Sequence, residues 1–276
     1  MSFRMIKMLF ILMLSLVLAL CPVLAGAAEG LQGGEVISPA EADLDGDGEL
    51  ETVTVMDVLN EDGEAYMGLE VKKGTLRVRV QTDIVTQEKL YLCDMDGDGL
   101  PEILFSGDEC SDDYITYCWR FRDGKLVTVP FEEGDVLDGG VLEITPGRIK
   151  VFATVNALGT YTGYRELVFA DGKLQFEGNS WTIGSEEFAY TPMLIVKEDI
   201  YVVAGMNDEG DFGEETILEA GTVIYLTETD GRTTVEYITE GGSRGVILLE
   251  EDEWGSHTYV NGMPEEDVFE GIEYAD

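Results

Sequence analysis

The sequence predicts an all-β protein, and three observations carry that reading. Short runs of Val, Ile, Leu, Thr and Tyr alternate with polar residues, the period of a half-buried strand. Turn dipeptides separate them: Asp62-Gly63, Asp123-Gly124, Asp171-Gly172, Asp230-Gly231 and Asn261-Gly262, where glycine tolerates the positive φ of a tight hairpin. Glycine supplies 33 of 276 residues, about 12% against a usual ~7%, and no long helical period appears after residue 27.

Residues 1–27 have the pattern of a secretory signal peptide. Arg4 and Lys7 precede an apolar run from Met8 to Leu20, and Ala25-Gly26-Ala27 offers a small-x-small cleavage site. The run is short for a membrane span. Lipidation at Cys21 is disfavoured, because Leu18 stands where a small residue is wanted and Pro22 follows. The expectation is a secreted or cell-surface protein with no membrane insertion after cleavage. Cys93, Cys110 and Cys118 then remain; Cys110 and Cys118 can face each other across a hairpin, or all three can be small buried side chains.

Self-similarity organises residues 28–185. Lys73-Gly74-Thr75-Leu76, Asp123-Gly124-Lys125-Leu126 and Asp171-Gly172-Lys173-Leu174 sit at equivalent places, with glycines 50 and 48 residues apart. Val71, Phe121 and Phe169 each lie three residues before the glycine. Upstream of the first two hairpins stand Asp43-Leu44-Asp45-Gly46-Asp47-Gly48 and Asp94-Met95-Asp96-Gly97-Asp98-Gly99, whereas the third unit has an apolar hairpin turning near Pro146-Gly147. Three ~50-residue units form a propeller-like or sandwich array; closed propellers use about four to eight blades. Residues 186–276 lose the period. They show five strand-like runs between 193 and 249, read as a small barrel, and an aromatic, acidic strap from Trp254 to Asp276.

The aspartate loops hold the chemistry. Asp43, Asp45, Asp47 and Glu51 occupy positions 1, 3, 5 and 9, and Asp94, Asp96, Asp98 and Glu102 repeat that spacing. Alternate positions of a tight turn converge, and glycine at position 6 permits the bend. A hard cation takes about six to eight oxygens, which four carboxylates, the position-7 carbonyl of Glu49 or Leu100, and water can supply. Without a cation, each carboxylate pair ~4 Å apart costs about 1 kcal/mol even in water. Position 12 is Thr54 or Phe105 rather than Glu, and a strand follows, so the helix-loop-helix EF-hand is excluded.

This D-x-D-x-D-G-x-x-[DE] pattern resembles the FG-GAP/VCBS-type calcium-loop repeats of integrin-like propellers, over roughly residues 36–180. The resemblance implies two Ca²⁺ ions that stiffen loops between blade strands. Gly221 to Leu226, Asp230-Gly231, Thr233 to Ile238 and Gly245-Val246-Ile247 resemble a bacterial SH3-like domain, which implies a cell-wall binder or a spacer. Arg232-Thr233 and Val246 replace the aromatics usual there.

Charge narrows the function classes. Loss of residues 1–27, with two bases and no acid, takes the formal charge from −39 to −41. That excludes nucleic acid as a partner and disfavours anionic membrane surfaces. His257, the one histidine, adjoins Ser256 in a strap, where neighbouring side chains point apart and build no triad. Tyr161, Tyr164 and Trp181 can line a sugar-binding surface or fill a core. The expectation is a non-enzymatic calcium-binding module whose partner is a cell-wall component, glycan or surface protein. The alternative is a secreted carbohydrate-active hydrolase with an acidic cleft.

Overall fold

The computed structural model describes residues 35–60, 62–111, 113–145, 147–183, 191–204, 213–251 and 258–274. The signal segment, Cys21, Pro146, Trp254, Ser256 and His257 lie outside them. The described chain is all-β, as the alternating pattern predicts, and its sheets are antiparallel.

Strand β1 (Glu35–Val36) is followed by the first sheet, built in sequence order from β2 (Ala40–Ala42), β3 (Glu51–Leu59), β4 (Ala65–Lys73) and β5 (Leu76–Gln81). A second sheet contains β6 (Thr86–Cys93), β7 (Glu102–Asp108), β8 (Tyr114–Arg122), β9 (Lys125–Thr128) and β10 (Val136–Asp138), with β1 on the β6 edge. The third begins with β11 (Gly140–Thr145), β12 (Arg148–Asn156), β13 (Thr160–Ala170) and β14 (Lys173–Ile183).

Strand β7 explains why the sheets stack. All seven of its residues are buried, as expected of a strand covered on both faces. Ile103 and Phe105 join Val53, Leu69, Val71 and Phe121 in a core against the first sheet. Leu104, with Cys93 and Cys118, joins Ile149, Val151 and Leu167 in a core against the third. Each large apolar side chain so buried contributes about 1.5–3 kcal/mol. The fifty-residue period is therefore a stacking period. A Cβ on Gly46 of the first aspartate loop would lie 3.1 Å from the Leu100 side chain of the second, and one on Gly124 would lie 2.8 Å from Leu76 of the neighbouring hairpin.

The turn dipeptides all join paired strands. At Asp123-Gly124, Asp171-Gly172 and Asn261-Gly262 both residues have positive φ, the twist-matched hairpin geometry. At Asp62-Gly63 and Asp230-Gly231 only the glycine does, because longer loops spread the bend.

The third sheet does not stop at residue 185. It continues through β15 (Met193–Val196), β16 (Ile200–Val203), β17 (Glu215–Leu218), β18 (Val223–Thr229), β19 (Thr234–Thr239) and β20 (Arg244–Leu248), joined to β14 by Trp181↔Thr229 and Thr182↔Glu228. The expected small barrel is instead an open sheet: no sheet among the described residues closes into a barrel. The cause is local, since β18 offers one edge jointly to β15 and β14. That open sheet curls over a core of Leu194, Ile224, Leu226, Val235 and Ile247, which Leu158 and Ile183 of the third unit enter. Strands β21 (Glu250–Glu251), β22 (Thr258–Val260) and β23 (Met263–Pro264), the single turn α1 (Glu265–Val268) and β24 (Phe269–Glu270) finish the chain; β24 pairs with β15. No helix among the described residues is long and apolar enough to cross a membrane.

The β18–β19 connection yields a pH prediction. Asp230 Oδ1 accepts from the backbone N–H groups of Arg232, Thr233 and Thr234 at 2.9, 2.7 and 2.9 Å. Burial raises its pKa, but these bonds and the Thr233 hydroxyl outweigh that and hold it below its ordinary 3.8. A depressed native pKa stabilises above the unfolded value and is lost as pH falls through the native one. Asp230→Ala is expected to cost about 1 kcal/mol at pH 7, the turn being partly solvated. Urea midpoints should show that difference shrinking as pH falls below the ordinary carboxylate range.

Candidate metal centres

Both aspartate loops share most of their internal bonds, the second adding one from Asp98 N–H to Asp96 Oδ1 at 3.0 Å. In the first, Asp43 accepts from the Gly46 and Gly48 N–H groups at 2.8 and 3.0 Å, and Asp47 Oδ1 from Glu49 N–H at 2.9 Å. In the second, Asp94 accepts from Gly97 and Gly99 at 2.8 and 2.9 Å, and Asp98 Oδ1 from Leu100 N–H at 2.8 Å. Gly48 and Gly99, both at φ +87°, make the bend the spacing requires.

Position 9 opens the following strand and is sealed inside. Glu51 and Glu102 are fully buried, each accepting at 2.7 Å from the backbone N–H of position 2, Leu44 or Met95. Burial pushes the Glu102 carboxyl above its ordinary range, against the Met95 and Arg120 hydrogen bonds that lower it.

Positions 1, 3 and 9 converge. Asp43, Asp45 and Glu51 each present an oxygen within 4.8 Å of the other two, and Asp94, Asp96 and Glu102 do the same. These two triads can hold metal ions. The remaining residues of the expected set stand differently. Asp47 and Asp98 fall outside the triads and meet bases, while Glu49 and Leu100 meet the loop through their backbone N–H groups.

Those bases are what the sequence reading missed. Lys73 Nζ lies 2.6 Å from Asp45, 2.7 Å from Asp47 and 3.1 Å from Glu51. Burial favours the neutral amine, but the three carboxylates hold Lys73 well above its ordinary pKa. The same ammonium, followed by the Glu49 N–H, holds Asp47 below the usual carboxylate range. In the second loop Arg120 donates through Nε to Glu102 at 2.8 Å and through Nη2 to Asp96, while Arg122 meets Asp98 at 3.0 Å. Lys73 and Arg120 are the cross-strand neighbours of Glu51 and Glu102, one step from the pairs Thr52↔Lys72 and Ile103↔Trp119. A base at that register is the signal that would have revealed them.

No protein family, curated protein or solved structure matches this chain. Carboxylate oxygens alone suit a hard cation such as Ca²⁺, Mg²⁺ or Mn²⁺ over a soft one.

Cys93 and Cys118 are buried beside Glu102 of the second loop. Cys110 is exposed in the β7–β8 turn, whereas Cys118 is buried opposite Leu104, so they do not face each other; all three are free. Burial first, then Glu102 and Asp94, push the Cys93 thiol up to about 12.

A cleft of about 820 Å³ lies where the third unit meets the C-terminal strands, lined by Glu132, Glu133, Asp138, Arg165, Trp181 and Arg232 among others. The Arg165 guanidinium stacks 3.8 Å over Phe176 and 5.3 Å from Trp181. Trp181 thus joins a concave surface; Tyr161 is buried in the fold, and Tyr164, largely buried, lines a second cleft of about 700 Å³ with Tyr114 and Phe152.

Proposed function

We propose that this is an exported calcium-binding β-repeat protein, a non-enzymatic module that binds or displays at the bacterial cell surface. The observation that carries the reading is the convergence of Asp43, Asp45 and Glu51 within 4.8 Å, with Glu51 fully buried at the base. Burying a carboxylate among carboxylates costs free energy unless a cation balances it. Ca²⁺ is favoured over Mg²⁺ because an irregular loop of carboxylates and carbonyls tolerates its longer, less regular coordination. Its role is to stiffen the aspartate loop that it occupies. The acidic remainder of the chain suits solubility outside the cell. The partner class is a cell-wall component, glycan or surface protein.

Dialysis of residues 28–276 against about 1 mM calcium, in the range of extracellular calcium modules, tests the metal. Elemental analysis should find calcium retained in preference to magnesium. A chain that retains neither contradicts the proposal.

One observation favours a second reading, a secreted carbohydrate-active hydrolase. Glu132, Glu133 and Asp138 line the same cleft as Trp181, a combination of carboxylates and an aromatic face that suits a glycan. Glycan hydrolysis abolished by Trp181→Ala would select it; glycan retention without hydrolysis would select the binding module.

A further inference from the structure

The two loops share spacing and most internal bonds but are not equally balanced. In the second, the oxygens of positions 3, 5 and 9 that face the bases are all taken. Arg120 holds Asp96 and Glu102 at once, its guanidinium lies 4.9 Å over the Phe169 ring, and Arg122 holds Asp98 while donating to the Leu44 carbonyl at 2.6 Å. Three of the four loop acids, Asp96, Asp98 and Glu102, meet two guanidinium groups. A metal ion entering there must break two fork-like contacts and a ring contact together, and planar arginines are the hardest cations to displace from paired carboxylates.

In the first loop one ammonium meets three of the four acids, Asp45, Asp47 and Glu51. Glu51 Oε1 is buried and accepts no hydrogen bond, with Lys73 Nζ 3.1 Å away. The matching oxygen of the second loop, Glu102 Oε1, accepts from Arg120 Nε at 2.8 Å. Lys73 carries its charge on a flexible stem, strongly hydrated once released, and its side chain is already 18% exposed. It can swing out without disturbing the sheet.

We infer that only the first loop is a divalent-cation site, that Lys73 is its resident counter-ion, displaced when the metal enters, and that the second loop is an arginine-locked copy that binds no metal. This deepens the calcium reading above and rests on it. The Glu51 oxygen, held only by the Lys73 ammonium at 3.1 Å, is the acceptor the ion would take over, with Asp43 and Asp45 completing the protein's carboxylate set. Ammonium and metal cannot share that space, so the lysine lowers affinity and makes binding an exchange.

Calorimetric titration of residues 28–276 with calcium tests this. The wild-type chain should bind one ion, lost in Asp45→Ala and kept in Asp96→Ala. Lys73→Met should bind one ion at least tenfold more tightly, a gain that misfolding cannot produce. Arg120→Met should acquire a second ion. Two ions in the wild type, loss in Asp96→Ala rather than Asp45→Ala, or unchanged affinity in Lys73→Met would overturn the assignment while leaving calcium binding intact. No binding in any variant would overturn both.

Discussion

Arg120→Met is expected to be among the most damaging single changes outside the apolar cores, costing about 3 kcal/mol of folding stability in chelator. Glu102 is fully buried, and Arg120 alone holds its Oε1. Removing the guanidinium leaves that carboxylate with one backbone N–H, from Met95, in a site shared with Cys93 and Cys118. It also removes the contact over Phe169 that ties the second sheet to the third. Methionine keeps the aliphatic bulk, so the loss reports charge and hydrogen bonding rather than a void. Guanidinium chloride unfolding should show the midpoint falling in chelator and recovering with millimolar calcium, because the vacated carboxylates then face no competing cation. A loss indifferent to calcium would show that the second loop takes no ion even when unlocked.

Much of this architecture was legible in the chain, and the exceptions have physical reasons. The strands follow from period-2 patterning and the turns from Asp-Gly dipeptides, since both are local properties. The repeat of Val71, Phe121 and Phe169 before each hairpin glycine anticipated stacking: the first two are buried in one core and Phe169 packs against the next. The convergence of positions 1, 3 and 9 could be read from spacing because the loop closes on itself. The fate of positions 5 and 7 could not. Asp47 and Asp98 turn to Lys73 and Arg122, which lie 26 and 24 residues away and come near only through strand register. The same limit hid the joining of the third unit to the C-terminal strands. It depends on two residue pairs, Trp181↔Thr229 and Thr182↔Glu228, with no signature of their own.

The acidity that marks the sequence divides accordingly. A few carboxylates are gathered at loops where a cation or a built-in base answers them. Elsewhere among the described residues, Asp108 and Glu265 are buried, and Glu70, Glu166 and Glu177 pair with arginines.

Calcium should therefore raise thermal stability by a calculable amount. With a dissociation constant near 10⁻⁴ M, typical of extracellular modules, ~10 mM calcium adds about 2.7 kcal/mol to the folded state. For a chain of this size that is a rise of roughly 5–10 °C in the melting transition that includes the first two sheets. Magnesium at the same concentration should give much less, because the irregular loop does not offer near-ideal octahedral geometry. The decisive measurement is the melting of residues 28–276 in excess chelator and in 10 mM calcium. A calcium-dependent rise of several degrees that Asp45→Ala abolishes is expected; identical melting in chelator and calcium would rule out calcium binding by the folded chain.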